Sequence, residues 1–197
     1  LVFLRDISER KQAEQEKRQF YRDTIKSVTQ GKLDLVLIDE IQEYLDPARL
    51  ISIVEFPEDC APARSKVVDF FRINGLTGDA QELFESAAGE ALTNAVKHAH
   101  GCNVYAGSND KSIWVAVSDT GTGISTLLLP SATLRRGFSS KVSMGMGYTI
   151  MMDATDNIML CTGPEGTTVV LSINAKVDDP VLTLDDFPDM WDETSVM

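Results

Sequence analysis

Apolar residues along this 197-residue chain recur with two different periods, and the changes of period mark out its elements. Leu33-Asp34-Leu35-Val36-Leu37-Ile38 and Leu50-Ile51-Ser52-Ile53-Val54-Glu55-Phe56 are short runs rich in apolar side chains and read as strands. Pro57 and Pro62 break the second run, and residues 63–73 read as an amphipathic helix with Val67, Val68, Phe70 and Phe71 inward. Residues 79–100 form the clearest helix. There Ala88, Leu92 and Val96 lie at i, i+4 and i+8, while Glu90 and Asn94 sit one turn apart on another face. Strands at 103–106 and 112–118 are joined by a polar turn at Ser108-Asn109-Asp110. Residues 120–147 show no period and carry glycines at 121, 123, 137, 145 and 147. A helix at 148–154, a strand at 157–161, a turn at Gly163-Pro164-Glu165-Gly166 and a strand at 167–173 complete the pattern.

The two ends read differently. Leu1-Val2-Phe3-Leu4 looks like the end of a strand, so the chain is expected to be cut from something longer. Asp6 and Ser8 offer helix caps, and residues 9–30 are rich in Glu, Gln, Lys and Arg. Their few large apolar positions, Phe20, Tyr21, Ile25 and Val28, are too few for a core helix. They predict a signalling or dimerisation helix with a thin apolar stripe, or else a solvated linker. A homodimer through residues 7–30 would bury Phe20, Ile25 and Val28. From Lys176 the chain alternates acids with isolated apolar residues, the pattern of a flexible or loosely docked tail. The mixed order of elements predicts an α+β sandwich, with helices on one face of a largely antiparallel sheet.

Charge and cysteine usage narrow the function classes. The net charge is −12, which argues against nucleic acid as the main ligand. It is unevenly spread: residues 1–32 carry +3 and residues 178–197 carry −7. No apolar run approaches the ~20 residues of a membrane helix, and residues 1–15 lack a signal-peptide pattern. Cys60, Cys102 and Cys161 are odd in number and far apart, which fits reduced thiols and a cytoplasmic setting.

Four stretches could carry chemistry. Glu90 and Asn94 aim a carboxylate and an amide oxygen at one point, a donor set that suits Mg²⁺ completed by water and phosphate, or simply a solvated polar face. Asp119 ends an apolar strand and is followed by Gly121 and Gly123. Such a carboxylate can accept from an exocyclic amine while the glycines admit a planar ring, although Asp and Gly are equally at home in an ordinary turn. Gly145 and Gly147 precede a helix, where bare N–H groups and the helix dipole favour a polyphosphate. Upstream, Arg135, Arg136 and Lys141 read as a basic flap over phosphates, or as a plain loop. Gly166-Thr167-Thr168-Val169 enters the last strand. No third glycine follows Gly145 and Gly147 at Rossmann spacing, and no Walker loop is present.

In order and spacing these stretches resemble the four nucleotide-binding boxes of the GHKL ATPases, whose fold is the Bergerat α/β sandwich, over residues 48–174. Residues 90–99, 145–151 and 166–169 look most like those of the anti-sigma-factor serine kinases, within the wider histidine-kinase-like group. Residues 1–11 resemble the last strand of a PAS sensor domain and the junction after it. The resemblance implies ATP and Mg²⁺ as cofactors, with Asn94 ligating the metal and Glu90 as the base that activates a hydroxyl or water. It further implies Asp119 on the adenine amine with Gly121 and Gly123 beside the ring. Gly145 and Gly147 fall against the phosphates, Thr167 supports the adenine through water, and Lys97 reaches a phosphate. The organisation expected is a PAS-like end at 1–8, a linker helix at 9–32, the ATPase domain at 33–175 and an acidic tail at 176–197.

The function this implies is a protein kinase module that phosphorylates a Ser or Thr of an anti-anti-sigma-like partner. Two alternatives stand beside it: an ATP-switched binding module without transfer, and a sensor histidine kinase lacking its own acceptor. Residues 6–45 contain no His at all. His98 and His100 end the Asn94 helix, where a polar or positive residue suits the dipole.

Overall fold

The computed structural model describes residues 2–134 and 147–174. Six strands form one sheet: β1 (Leu33–Leu35), β2 (Arg49–Val54), β3 (Cys102–Ser108), β4 (Ser112–Ser118), β5 (Asn157–Gly163) and β6 (Gly166–Asn174). Their spatial order is β1-β5-β6-β4-β3-β2. β1 runs parallel to β5, and every other neighbouring pair is antiparallel. The α+β architecture expected from the sequence is therefore the one observed.

β4 lies inside the sheet, and alternate side chains along it enter two separate cores. Ile113, Val115 and Val117 join Val104, Ile158, Leu160, Val169 and Leu171 on the main helical face. Trp114 and Ala116 join Val36, Ile41 and Val170 on the other. The main face is covered by α3 (Cys60–Ile73) and α4 (Gly78–Ala99), with α5 (Leu129–Leu134) and α6 (Gly147–Ala154) beside them. Phe71 of α3 stacks on Phe84 of α4 with ring centroids 4.6 Å apart.

The structure departs from the sequence reading in four places. First, helices do not keep to one face. The strand expected at 33–38 stops at Leu35, and α2 (Ile38–Leu45) crosses the opposite face. Glu40 turns the chain into that helix by accepting from the Leu37 N–H at 2.7 Å. Trp114 Nε1 donates to the Tyr44 carbonyl at 3.0 Å and ties α2 down. Second, residues 2–4 are not a strand end: α1 runs from Val2 to Val28. Among the described residues no strand lies beside them, and those backbone groups bond within the helix.

Third, α1 belongs to the core after all. Ile25 is fully buried in the main core, so it is not available to a second copy. Arg22 forks onto Glu40 (2.7 and 3.1 Å) and Asp34 (3.0 Å), and Lys26 reaches Asp34 at 2.5 Å. The Glu40 carboxyl is held below its usual range, first by the Arg22 side chain and then by the Leu37 N–H. Phe20 and Val28 remain exposed. Fourth, part of the aperiodic stretch is packed. α5 buries Leu129 and Thr133 within that stretch, just before the expected basic flap. Arg135, Arg136, Lys141, Gly145 and the tail from residue 175 lie outside the described residues.

Candidate functional site

Glu90 and Asn94 project from the middle of α4, whose opposite stripe (Phe84, Ala88, Leu92, Ala95) is buried. Both are half-buried. They meet the first residue of α6: a Cβ on Gly147 would lie 3.0 Å from Glu90 Oε2 and 3.2 Å from Asn94 Nδ2. The missing side chain lets the N-terminus of α6 come close against the carboxylate and the amide. Among the described residues no group of three or more His, Cys, Asp and Glu is placed to hold a metal. A Mg²⁺ at this point would draw on the Asn94 amide and on ligands from outside the protein, which is how this ion is commonly held.

Asp119 follows the last residue of β4 and is fixed by β6. Its N–H donates to the Thr167 carbonyl at 2.8 Å. Its Oδ1 accepts from Thr167 N at 3.1 Å and from Gly121 N at 2.9 Å. Burial pushes its pKa above the usual 3.8. The two backbone N–H bonds and the charge of His98 oppose that rise. His98, read from sequence only as a helix-end residue, is thus close enough to act on the Asp119 charge. Tyr148, the second residue of α6, is coupled to the same carboxylate: burial drives its hydroxyl pKa up and the Asp119 charge adds to the rise.

The glycines after Asp119 pack against the chain itself. A Cβ on Gly121 would come within 2.6 Å of Ala99 Cβ, so this residue seats the turn against the last turn of α4. Gly123 has φ +68°, and a Cβ there would strike the Gly163 carbonyl. Gly166, at φ +139°, is pressed on the Asp119 carbonyl in the same way. Thr162 went unnoticed in the sequence. Its buried hydroxyl accepts from Ile124 N at 2.8 Å and pairs with Thr167 Oγ1 at 2.9 Å.

The structure therefore brings Glu90, Asn94 and Gly147 to one point, and Asp119, Gly121 and Thr167 to a second near the end of α4. Lys97 is exposed on the turn of α4 between them. Residues 54–173, which contain all of these, match the model of the histidine kinase-like ATPase domain. The chain belongs to that family. Histidine kinase-like ATPase domains bind ATP with Mg²⁺, and both points described above lie within this one. The matched span leaves out α1, β1 and α2. Among solved structures, one similar chain is the histidine kinase domain from the Erythrobacter litoralis EL346 blue-light activated histidine kinase. It is 14% identical, with 64% of this chain and 67% of that chain covered and a TM-score of 0.39. A search of curated proteins gives no match. Among the described residues no helix is long and apolar enough to cross a membrane.

Proposed function

We propose that this domain binds Mg²⁺ and ATP and transfers the γ-phosphoryl group to a serine or threonine of a partner protein, as the anti-sigma-factor serine kinases it resembles do. The observation that carries the reading is the close approach at Gly147, which sets a carboxylate, an amide and a helix N-terminus side by side. Phosphates directed there meet the α6 N–H groups and the positive end of its dipole. Asn94 is the residue to hold the metal by its amide oxygen. When bound, Mg²⁺ neutralises charge on the phosphates as the transfer proceeds. Glu90 takes the proton of the attacking hydroxyl as the new O–P bond forms, and the bond to the β-phosphate oxygen breaks to release ADP. Lys97 reaches toward the phosphates from the same helix. At the far end, Asp119 keeps Oδ1 on the backbone and offers Oδ2 to the adenine amine, with Thr167 beside it. Cys60, Cys102 and Cys161 are all free thiols, which supports a reducing, cytoplasmic setting.

Labelled ATP with candidate partner proteins tests the reaction. Acid-stable label on the partner supports serine or threonine transfer. Acid-labile label assigns the chain to histidine chemistry instead, and tight ATP binding with no label makes it a nucleotide-switched binding module.

Asp119→Asn should weaken ATP about tenfold to a hundredfold, because a hydrogen bond to a charged acceptor is worth ~1.5–3 kcal/mol. Asn retains an oxygen for Gly121 and Thr167, so the fold survives. Since the folded pKa of Asp119 is raised, stability present below its unfolded pKa is lost as pH rises through the folded one. The Asn variant should therefore be at least as stable as the wild type at neutral pH. In the wild type, affinity for adenosine should fall on acidification from a pH above the ordinary aspartate range, a step missing from the variant. Calorimetry giving equal ATP affinity for the two folded proteins removes Asp119 from the adenine site.

Partner contact through α1 has narrower means than its sequence implied. Phe20 and Val28 are the exposed apolar residues a second copy would cover. Light scattering should report a dimer for the chain and a monomer for Phe20→Asp. A monomeric wild type ends the dimer reading.

A further inference from the structure

The outer edge of β5 is only partly covered. β1 ends at Leu35, and the last bond on that side runs from Val36 N–H to the Leu160 carbonyl at 3.0 Å. Carbonyls alternate along a strand, so the next one facing outward belongs to Thr162. Among the described residues no strand reaches it; Arg18 of α1 does, with Nη2 donating to the Thr162 carbonyl at 3.0 Å. A side chain from α1 stands where the next residue of β1 would have been.

Thr162 leads directly to the site. Its hydroxyl holds Ile124 N and Thr167 Oγ1, and Thr167 N and carbonyl hold Asp119. Gly123 rests on the Gly163 carbonyl next to it. Both sides of the Asp119 turn are thus fastened to the end of the β5–β6 hairpin, and α1 fastens that end from outside. Glu14 adds a second tie from α1 by accepting from Thr126 Oγ1 at 2.6 Å.

We propose that Arg18 is a positioning residue for the adenine side of the nucleotide site, so that α1 sets nucleotide affinity by holding or releasing Thr162. The inference rests on the reading above that Asp119 receives adenine. A shift of α1 that withdraws Arg18 leaves a strand-end carbonyl without its donor and loosens the hairpin end on which Asp119, Ile124 and Thr167 depend. The phosphate end, built on α4 and α6, has no bond in this chain of contacts.

The test compares the full chain with Arg18→Ala, Arg18→Lys and Thr162→Val, using ATP, adenosine and inorganic tripolyphosphate as separate probes in calorimetry. Hydrogen exchange is followed at the Ile124 and Thr167 amides. Arg18→Ala should bind ATP and adenosine about two- to tenfold more weakly, the range that one net hydrogen bond spans. Tripolyphosphate affinity should not change, and the Ile124 amide should exchange faster. Arg18→Lys keeps a cationic donor and should restore adenosine binding. Thr162→Val keeps the carbonyl that Arg18 holds and removes the hydroxyl, so it should reproduce the Arg18→Ala pattern by breaking the inner link; Arg18→Gln carries the test of Arg18 if Arg18→Ala fails to fold. Unchanged adenosine affinity and unchanged Ile124 exchange in a folded Arg18→Ala overturn the inference. So does an equal loss for adenosine and tripolyphosphate accompanied by a lower melting temperature, which marks a merely structural role. A wild-type chain that binds tripolyphosphate but not adenosine defeats the adenine reading itself, whatever Arg18 does.

Discussion

Glu90→Gln should slow phosphoryl transfer by about 10²–10⁴-fold, the usual contribution of a general base, while ATP binding stays near the wild-type level. The substitution keeps the shape of the side chain beside Gly147 and removes only its ability to take a proton. Asn94→Ala should behave in the opposite manner: ATP binding loses its dependence on Mg²⁺, because the amide oxygen beside Gly147 is gone. Rapid-quench measurement of transfer alongside calorimetry with and without Mg²⁺ separates the two. Wild-type turnover by Glu90→Gln would show that the proton goes elsewhere.

Gly166→Ala should cost more stability than any polar substitution in the site. Its φ of +139° is one that side-chain-bearing residues rarely adopt, and the new Cβ would be driven into the Asp119 carbonyl. Backbone strain of this kind costs ~1–3 kcal/mol, and overpacking against atoms that cannot retreat adds a similar ~1–3 kcal/mol. Gly31 supplies the comparison, since it also has positive φ, at +82°, but nothing lies within 4 Å of a Cβ there. Gly31→Ala should therefore show the strain alone. Urea unfolding of both variants decides the matter: equal losses would mean that the Asp119 carbonyl shifts aside freely.

Much of the fold could be read from local pattern, because local pattern is what the core selects. α4 repeats its small and apolar residues every turn along a buried stripe, so its length and inward face were both legible. β4 read as a continuous apolar run since both of its faces are covered. α2 was hidden for the opposite reason. It is eight residues long, buries fully only Ile41, and starts at Ile38 just after its cap Leu37, an apolar pair that prolongs the strand before it. α1 misled in another way: among its residues of described burial, Ile25 is the buried anchor of a helix whose composition is that of a solvated rod.

The site divided along the same line. Glu90 and Asn94 are one helical turn apart, so their convergence follows from the period of a helix. Gly147 enters their space only through the packing of α6 on α4. The bond from Thr167 to Asp119 spans 48 residues, and that from Arg18 to Thr162 spans 144. No spacing rule reaches so far. The turn glycines illustrate the difference: their number signalled a close approach, yet Gly123 and Gly166 approach backbone of their own chain.

The parallel pairing of β1 with β5 also bears on the order in which the molecule can assemble. Leu33–Leu35 leave the ribosome more than a hundred residues before Asn157–Gly163, the strand they pair with among the described residues. Until then α1 and β1 have no edge to dock on, and Ile25 has no completed core to enter. Contacts so distant in sequence are slow to close, whereas the antiparallel β3–β4 and β5–β6 hairpins form between neighbours. The earlier-made segment thus waits for the later one, and a nascent chain stopped short of residue 157 would carry α1 undocked from that edge.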